Sequence, residues 1–357
     1  MTTAIYVTST QRFSGKTALC LGLIRWFQRK GLSAGYMKPI STTARIRDEK
    51  FADEDAIFIK SVLEMPDSLE TIVPLMLTER EVDGVLRDEA GKELGSKALD
   101  AFRNIEKGRG AVVMEGGTSL REGFIINLDP PRLSKLLGAR ALVVVPYTDT
   151  LQVVDDILAA QSLIEDNLLG AVINQVPQHR VALMQEKVKP FVESRGIPIF
   201  AILQREKALM SVSVGELVEG LGGDVLCCQA AMGELVENLM VGAMSAEGAL
   251  TYFRRAPNKV VVTGGDRADI QLAALETSTR CLVLTGNLRP NQLIVALAEE
   301  RNVPIVLTRN DTLKTVEILE SYFGKTRFHQ QKKVQHFEKL LGKSMDFDAF
   351  GKALGLK

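Results

Sequence analysis

"TSTQRFSGKT" (residues 8–17) decides how the rest of the chain is read. It follows the apolar run "AIYVT" and leads into "ALCLGLIRWFQRKG", so its Gly15-Lys16-Thr17 falls between a buried strand and an amphipathic helix. In that setting backbone N–H groups and the helix N-terminus, from Ser14 onward, face an anion. Lys16 neutralises the β/γ oxygens of a nucleotide, and Thr17 offers a hydroxyl to Mg²⁺. Such loops usually open with glycine. Here Thr8, Ser9 and Thr10 stand instead, and Ser9 gives up the freedom to adopt φ > 0. The plain alternative is a helix start with an exposed lysine.

Working outward, "AIYVT", "SAGYMKP", "GAVVME", "ALVVVPY", "LLGAVIN" and "PIFAIL" are short apolar runs, and helix-length segments separate most of them. Continuous Val/Ile/Ala runs alternating with helices predict a parallel sheet buried on both faces, wound by right-handed crossovers into a doubly wound α/β layer. At the polar stretch "QREKA" the pattern pauses. A smaller α/β series follows, "GGDVLCC", "NKVVVTGGD", "RCLVLTG" and "VPIVLTRND", with helical patterns after three of them. The expected organisation is a nucleotide-binding domain over 1–205, a second α/β domain over 206–323 and a helical tail over 324–357. The tail is lysine-rich with apolar residues at helical spacing and reads as packing on its own chain or on a partner subunit. Its His329 and His336 have no acidic or cysteine partner at ligand spacing and read as surface residues.

Composition narrows the function. The 44 basic and 44 acidic residues balance, which argues against a general nucleic-acid or membrane-surface binder. The four cysteines, Cys20, Cys227, Cys228 and Cys281, show no metal-ligand spacing. The N-terminus is a strand pattern and not a signal peptide, and no apolar stretch reaches the ~20 residues of a spanning helix. A cytoplasmic protein is the expectation.

Ser9 and Gly15 are separated by one residue more than in the commonest phosphate loop. With that spacing the stretch resembles the loop of dethiobiotin synthetase and its relatives. Four further segments agree in order over residues 1–203: "GYMKPIS", "DEDAIF", "VVMEGG" and "AVINQV". The resemblance implies roles residue by residue. Lys38 would lie beside phosphates and substrate and act with Lys16 in any phosphoryl transfer. Asp55 and Glu115 would join Thr17 at a Mg²⁺ ion, and Asn174 would read the nucleotide base. Each has a plainer reading: Lys38 a strand-end lysine, Asp55 part of an acidic helix start, Asn174 a turn residue. Glu115 resists one, because it ends a buried parallel strand where open α/β sheets bind ligands. After it comes Gly116-Gly117-Thr118-Ser119, where the synthetase has a longer glycine-rich run.

The second series, with "VGAMSAEGALTYF", "VVTGGDRADIQLAALE" and "LVLTGNLRP", resembles the DRTGG domain over about residues 206–322. Two glycines after a strand permit close approach of a partner, and Asp266 is placed to cap the next helix. Gly264, Gly265 and Asp266 are thus either a ligand-free capped turn or a small-molecule or dimer contact. Together the modules resemble the N-terminal, non-catalytic region of the long bacterial phosphotransacetylases, in which acetyl transfer belongs to a further C-terminal domain. The expectation is an ATP- and Mg²⁺-binding sensor or regulator, dimeric or partner-bound, with slow or no turnover and no phosphotransacetylase activity by itself. The alternatives are an ATP-dependent ligase that activates a carboxylate or carbamate as an acyl phosphate, and a scaffold with a dead loop.

Overall fold

The computed structural model describes residues 2–43, 45–47, 50–87, 93–323, 328 and 330–356. They form two compact units, one of residues 1–205 with 328–357 and the other of residues 206–327.

The first unit is built on β1 (Thr3–Ser9), β2 (Ala34–Met37), β3 (Ala111–Glu115), β4 (Arg140–Pro146), β5 (Leu168–Val176) and β6 (Ile199–Gln204). They form one parallel sheet in the order β6-β5-β4-β1-β3-β2. Its continuous apolar strands are buried on both faces, as a doubly wound layer requires. On one face Tyr6, Val112 and Met114 pack with Ala98 and Phe102 of the helix Leu94–Glu106. Beside them Val143, Val145 and Ile173 pack with Val153 and Ile157 of the helix Thr150–Ile164.

The opposite face carries α1 (Lys16–Arg29) and, beyond it, the two C-terminal helices Gln331–Ser344 and Phe347–Ala353. Trp26 of α1 stacks on Phe347 at 5.2 Å and meets Phe350 edge-on, and Phe350 in turn meets Phe200 of β6. Met345 bridges antiparallel to Ala201, and Asp346 N donates to Phe200 O at 2.8 Å, which covers the exposed edge of β6. Val334, Phe337, Leu341 and Phe350 are buried there. The tail therefore belongs to the first unit. His336 is half-buried in it; His329 lies outside the described residues.

In the second unit strands Asn238–Val241, Lys259–Gly264, Thr279–Thr285 and Ile305–Leu307 lie parallel and adjacent in that order. Asp224–Val225 adds an antiparallel edge beside Ile305–Leu307. The strand Asn238–Val241 has no counterpart among the sequence-derived runs, because a Glu-Asn pair and a glycine bound its short apolar core. "GGDVLCC" yields only the two-residue edge.

Lys259 opens its strand with a wholly buried ammonium, which donates to Thr277 Oγ1 at 2.7 Å and Ser278 O at 3.1 Å. Phe253 lies 5.6 Å away. Burial pulls its pKa from 10.5 down to about 8. Above pH 8 the folded state sheds a proton that the unfolded chain keeps to about pH 10.4. The unfolded state then binds more protons, so stability rises with pH across that window. Urea unfolding of the second unit at pH 7.5 and 9.5 should show the rise, and Lys259→Met should flatten it. An equal slope in both proteins rules it out.

Candidate nucleotide-binding site

The C-terminal ends of β1, β3 and β2 converge with the start of α1. Residues 10–15 form the turn between β1 and α1, with Phe13 at φ 54° and Gly15 at φ 89°. Ser9 needs no positive φ, because it is the last residue of an extended strand; the steric demand falls on Phe13 and Gly15 instead. Gly15 is required twice over, since a Cβ there would sit 2.4 Å from Asn174 Nδ2. Asn174, near the end of β5, donates from Nδ2 to Ser14 O at 2.8 Å and accepts from Gln175 N through Oδ1. Gln175 Nε2 donates to Phe13 O at 2.8 Å. The loop is thus held from below by β5, and both polar ends of the Asn174 amide are engaged inside the protein.

Lys16 is 8% exposed, and its Nζ donates to Ser9 Oγ at 2.9 Å. Burial lowers its pKa, opposed by the charge of Glu115. Thr17 Oγ1 donates to Glu115 Oε1 at 2.7 Å, and the buried Tyr36 hydroxyl donates to Oε2 at 2.8 Å. Burial raises the Glu115 carboxyl above the ordinary glutamate range, with Lys38 and Lys16 pulling the other way.

Lys38 follows β2 and is buried against two carboxylates, Asp53 at 2.8 Å and Asp55 at 3.3 Å. Burial works against its charge, but Glu115, Asp55 and Asp53 outweigh it and hold the ammonium above its usual value. Asp53 escapes sequence reading. It caps α2 (Glu54–Leu63) by accepting from Ala56 N at 3.0 Å, and its other oxygen takes Ser41 Oγ, Thr43 Oγ1 and Lys38. The only sequence signal was an N-cap aspartate two residues before Asp55. After β3, Glu122 folds back to accept from Thr118 N and Oγ1 at 2.7 and 2.6 Å, and its carboxylate fills the space beside Gly117.

The structure therefore gathers Ser14, Gly15, Lys16, Thr17, Lys38, Asp55, Glu115 and Asn174 around one end of the sheet. The Thr17 hydroxyl and the Glu115 and Asp55 carboxylates are hard oxygen donors, a set that suits Mg²⁺. Thr8 Oγ1, Thr10 Oγ1 and Ser14 Oγ are buried without a hydrogen-bond partner among the described residues, a donor set that suits phosphate oxygens. A cavity of about 310 Å³ lined by Gln161, Leu168 and Ile197 opens at the other, N-terminal end of β5 and β6, away from the loops where open α/β sheets bind ligands.

In the second unit the glycine turn is closed by its own chain. A Cβ on Gly265 would lie 1.7 Å from Leu288 O, and Gln271 Nε2 donates to Gly264 O and Gly265 O. Asp266 does not cap the following helix. That helix starts at Ala268 with Arg267 as its uncapped N-cap, so Asp266 stands one residue too early, exposed.

Among the described residues no helix is long and apolar enough to cross a membrane. The family profile of the AAA domain matches residues 3–213, and that of the DRTGG domain matches residues 216–322. The phosphate acetyltransferase of Synechocystis sp. is 24% identical over 362 residues, covering 97% of this chain and 51% of that protein. The phosphate acetyltransferase of Nitratidesulfovibrio vulgaris is 23% identical, covering 99% of this chain and 52% of that protein. The ATP-dependent dethiobiotin synthetase BioD of Methanocaldococcus jannaschii is 25% identical over 213 residues, 56% of this chain and 93% of that protein. The chain spans about half the length of the phosphate acetyltransferases it matches. A parallel sheet with a Gly-Lys-Thr loop after its first strand, matched over more than half the chain, places this protein in the AAA domain family, as a dethiobiotin-synthetase-like P-loop unit joined to a DRTGG domain.

Proposed function

We propose that the first unit binds ATP with Mg²⁺ and that the protein is a nucleotide-responsive regulator, acting in the cytoplasm through a sister subunit or another partner. The observation that carries the reading is the Thr17–Glu115 hydrogen bond beside the buried Lys16, at the C-terminal edge of the sheet. It joins the helix start that faces phosphates to a carboxylate that suits the metal. Thr17, Glu115 and Asp55 would hold the ion, and Ser14, Gly15 and Lys16 the phosphates. The ion would supply charge neutralisation of the β/γ oxygens. Similarity to an ATP-dependent synthetase over nearly that enzyme's whole length favours ATP. Four free cysteines suit a reducing compartment.

A ligase that forms an acyl phosphate is the second reading, and Lys38 beside Glu115 favours it. Against it, the buried Asp53 already neutralises the Lys38 charge, and Glu122 sets a further carboxylate in the loop after β3. An anionic carboxylate or carbamate substrate gains little attraction there. In the regulator, a small effector or a sister subunit would meet the glycine turn of the second unit (Gly264, Gly265, Asp266) from the exposed Asp266 side, since Leu288 closes it at Gly265.

Mg-ATP at about a hundred times Kd should stabilise the protein by ~2.7 kcal/mol, roughly a 5–10 °C rise in melting temperature. Lys16→Ala should abolish the rise. An equal rise in the variant, or none in the wild type, ends the nucleotide reading.

A further inference from the structure

Ser9 is fully buried at the end of β1. Its hydroxyl donates to Gln11 O at 2.8 Å, which leaves an oxygen lone pair for Lys16 Nζ at 2.9 Å. Gln11 is itself anchored, its Nε2 donating to Asp156 Oδ2 on the helix Thr150–Ile164. The ammonium assigned to the phosphates is therefore already bonded to a hydroxyl that cannot easily turn away. A hydrogen bond from a charged donor is about twice as strong as a neutral one, and burial strengthens it further. The hydroxyls of Thr8, Thr10 and Ser14 have no partner among the described residues, so Ser9 is the loop hydroxyl that engages the Lys16 ammonium. Glycine, which usually opens loops of this kind, offers Lys16 no side-chain acceptor.

We propose that Ser9 is a latch on Lys16: a polyphosphate gains the ammonium only by taking it from the Ser9 hydroxyl, so Ser9 sets the phosphate affinity of the loop. The proposal rests on the nucleotide reading above and adds a competitor within the site. Because the competition concerns phosphate and not base, its removal favours ATP and inorganic tripolyphosphate alike.

The test is titration calorimetry of the full chain with Mg-ATP and with tripolyphosphate, in wild type, Ser9→Ala and Ser9→Gly. In parallel, Lys16 in ligand-free protein is labelled with trinitrobenzenesulfonate and quantified by peptide mass spectrometry. Both variants should bind both ligands about tenfold more tightly, and their Lys16 should label severalfold faster. Wild-type binding with unchanged or weaker affinity in both variants overturns the latch and leaves the nucleotide reading standing. No binding of either ligand by any of the three proteins overturns that reading, and the latch with it.

Discussion

Removing residues 328–357 should unfold the first unit, or lower its melting temperature by well over 10 °C, although no residue of the phosphate loop is touched. The deletion strips one face of the sheet of two of its helices. Trp26 loses its stack on Phe347, Phe200 loses Phe350, and β6 loses the cover over its edge. Val334, Phe337, Leu341, Met345 and Phe350 all leave a buried environment. Phe350→Ala is the milder form. A fully buried phenylalanine cut to alanine costs about 3–5 kcal/mol, roughly 6–20 °C for a unit of this size. Scanning calorimetry of both proteins decides the matter. A first-unit transition within a degree or two of wild type in the deletion would show the tail to be an ornament. The same geometry governs limited proteolysis: cleavage after residue 205 should yield a fragment that keeps nucleotide affinity only while the tail peptide stays bound.

Gly265→Ala should destabilise the second unit by about 3 kcal/mol or more, with the first unit unchanged. The added methyl would sit 1.7 Å from Leu288 O, a backbone atom that cannot swing aside as a side chain can. The loop behind it is pinned as well, with Gly286 N on Asn310 O at 3.0 Å and Asn287 N on Thr308 O at 2.9 Å. Asn287 already sits at φ 57°. Gly233→Ala is the control, because among the described residues nothing lies within 4 Å of its new methyl. Urea unfolding followed separately in the two units reads both variants. Equal stability of Gly265→Ala and Gly233→Ala would mean that the turn opens easily, and would favour a ligand or subunit as the reason for two glycines.

The parallel sheet was legible because each strand is an unbroken apolar run, and the loop because Gly-Lys-Thr falls at the strand-to-helix junction. What escaped reading depends on distance in sequence. Asp53 is an ordinary helix cap until folding brings Lys38, Ser41 and Thr43 onto it. The helical spacing of the tail showed an apolar face and not its destination, since α1 and β6 lie more than a hundred residues upstream. Asn238–Val241 is too short to stand out from its polar neighbours. Asp266 looked like a cap because sequence does not reveal that the helix waits until Ala268.

The return of the tail to the first unit sets an order of events during synthesis. The six strands are complete at residue 204, yet the surface formed by Trp26 and Phe200 waits for residues 328–357. Roughly 120 residues of the second unit are made in between, which at ~5–20 residues per second takes about 6–25 s. Throughout that interval an apolar strip and an unpaired strand edge face the surroundings, the kind of surface that chaperones bind and that promotes misassembly. The second unit can meanwhile fold from its own contiguous chain. Of the two units, the one translated first is thus the one that closes last.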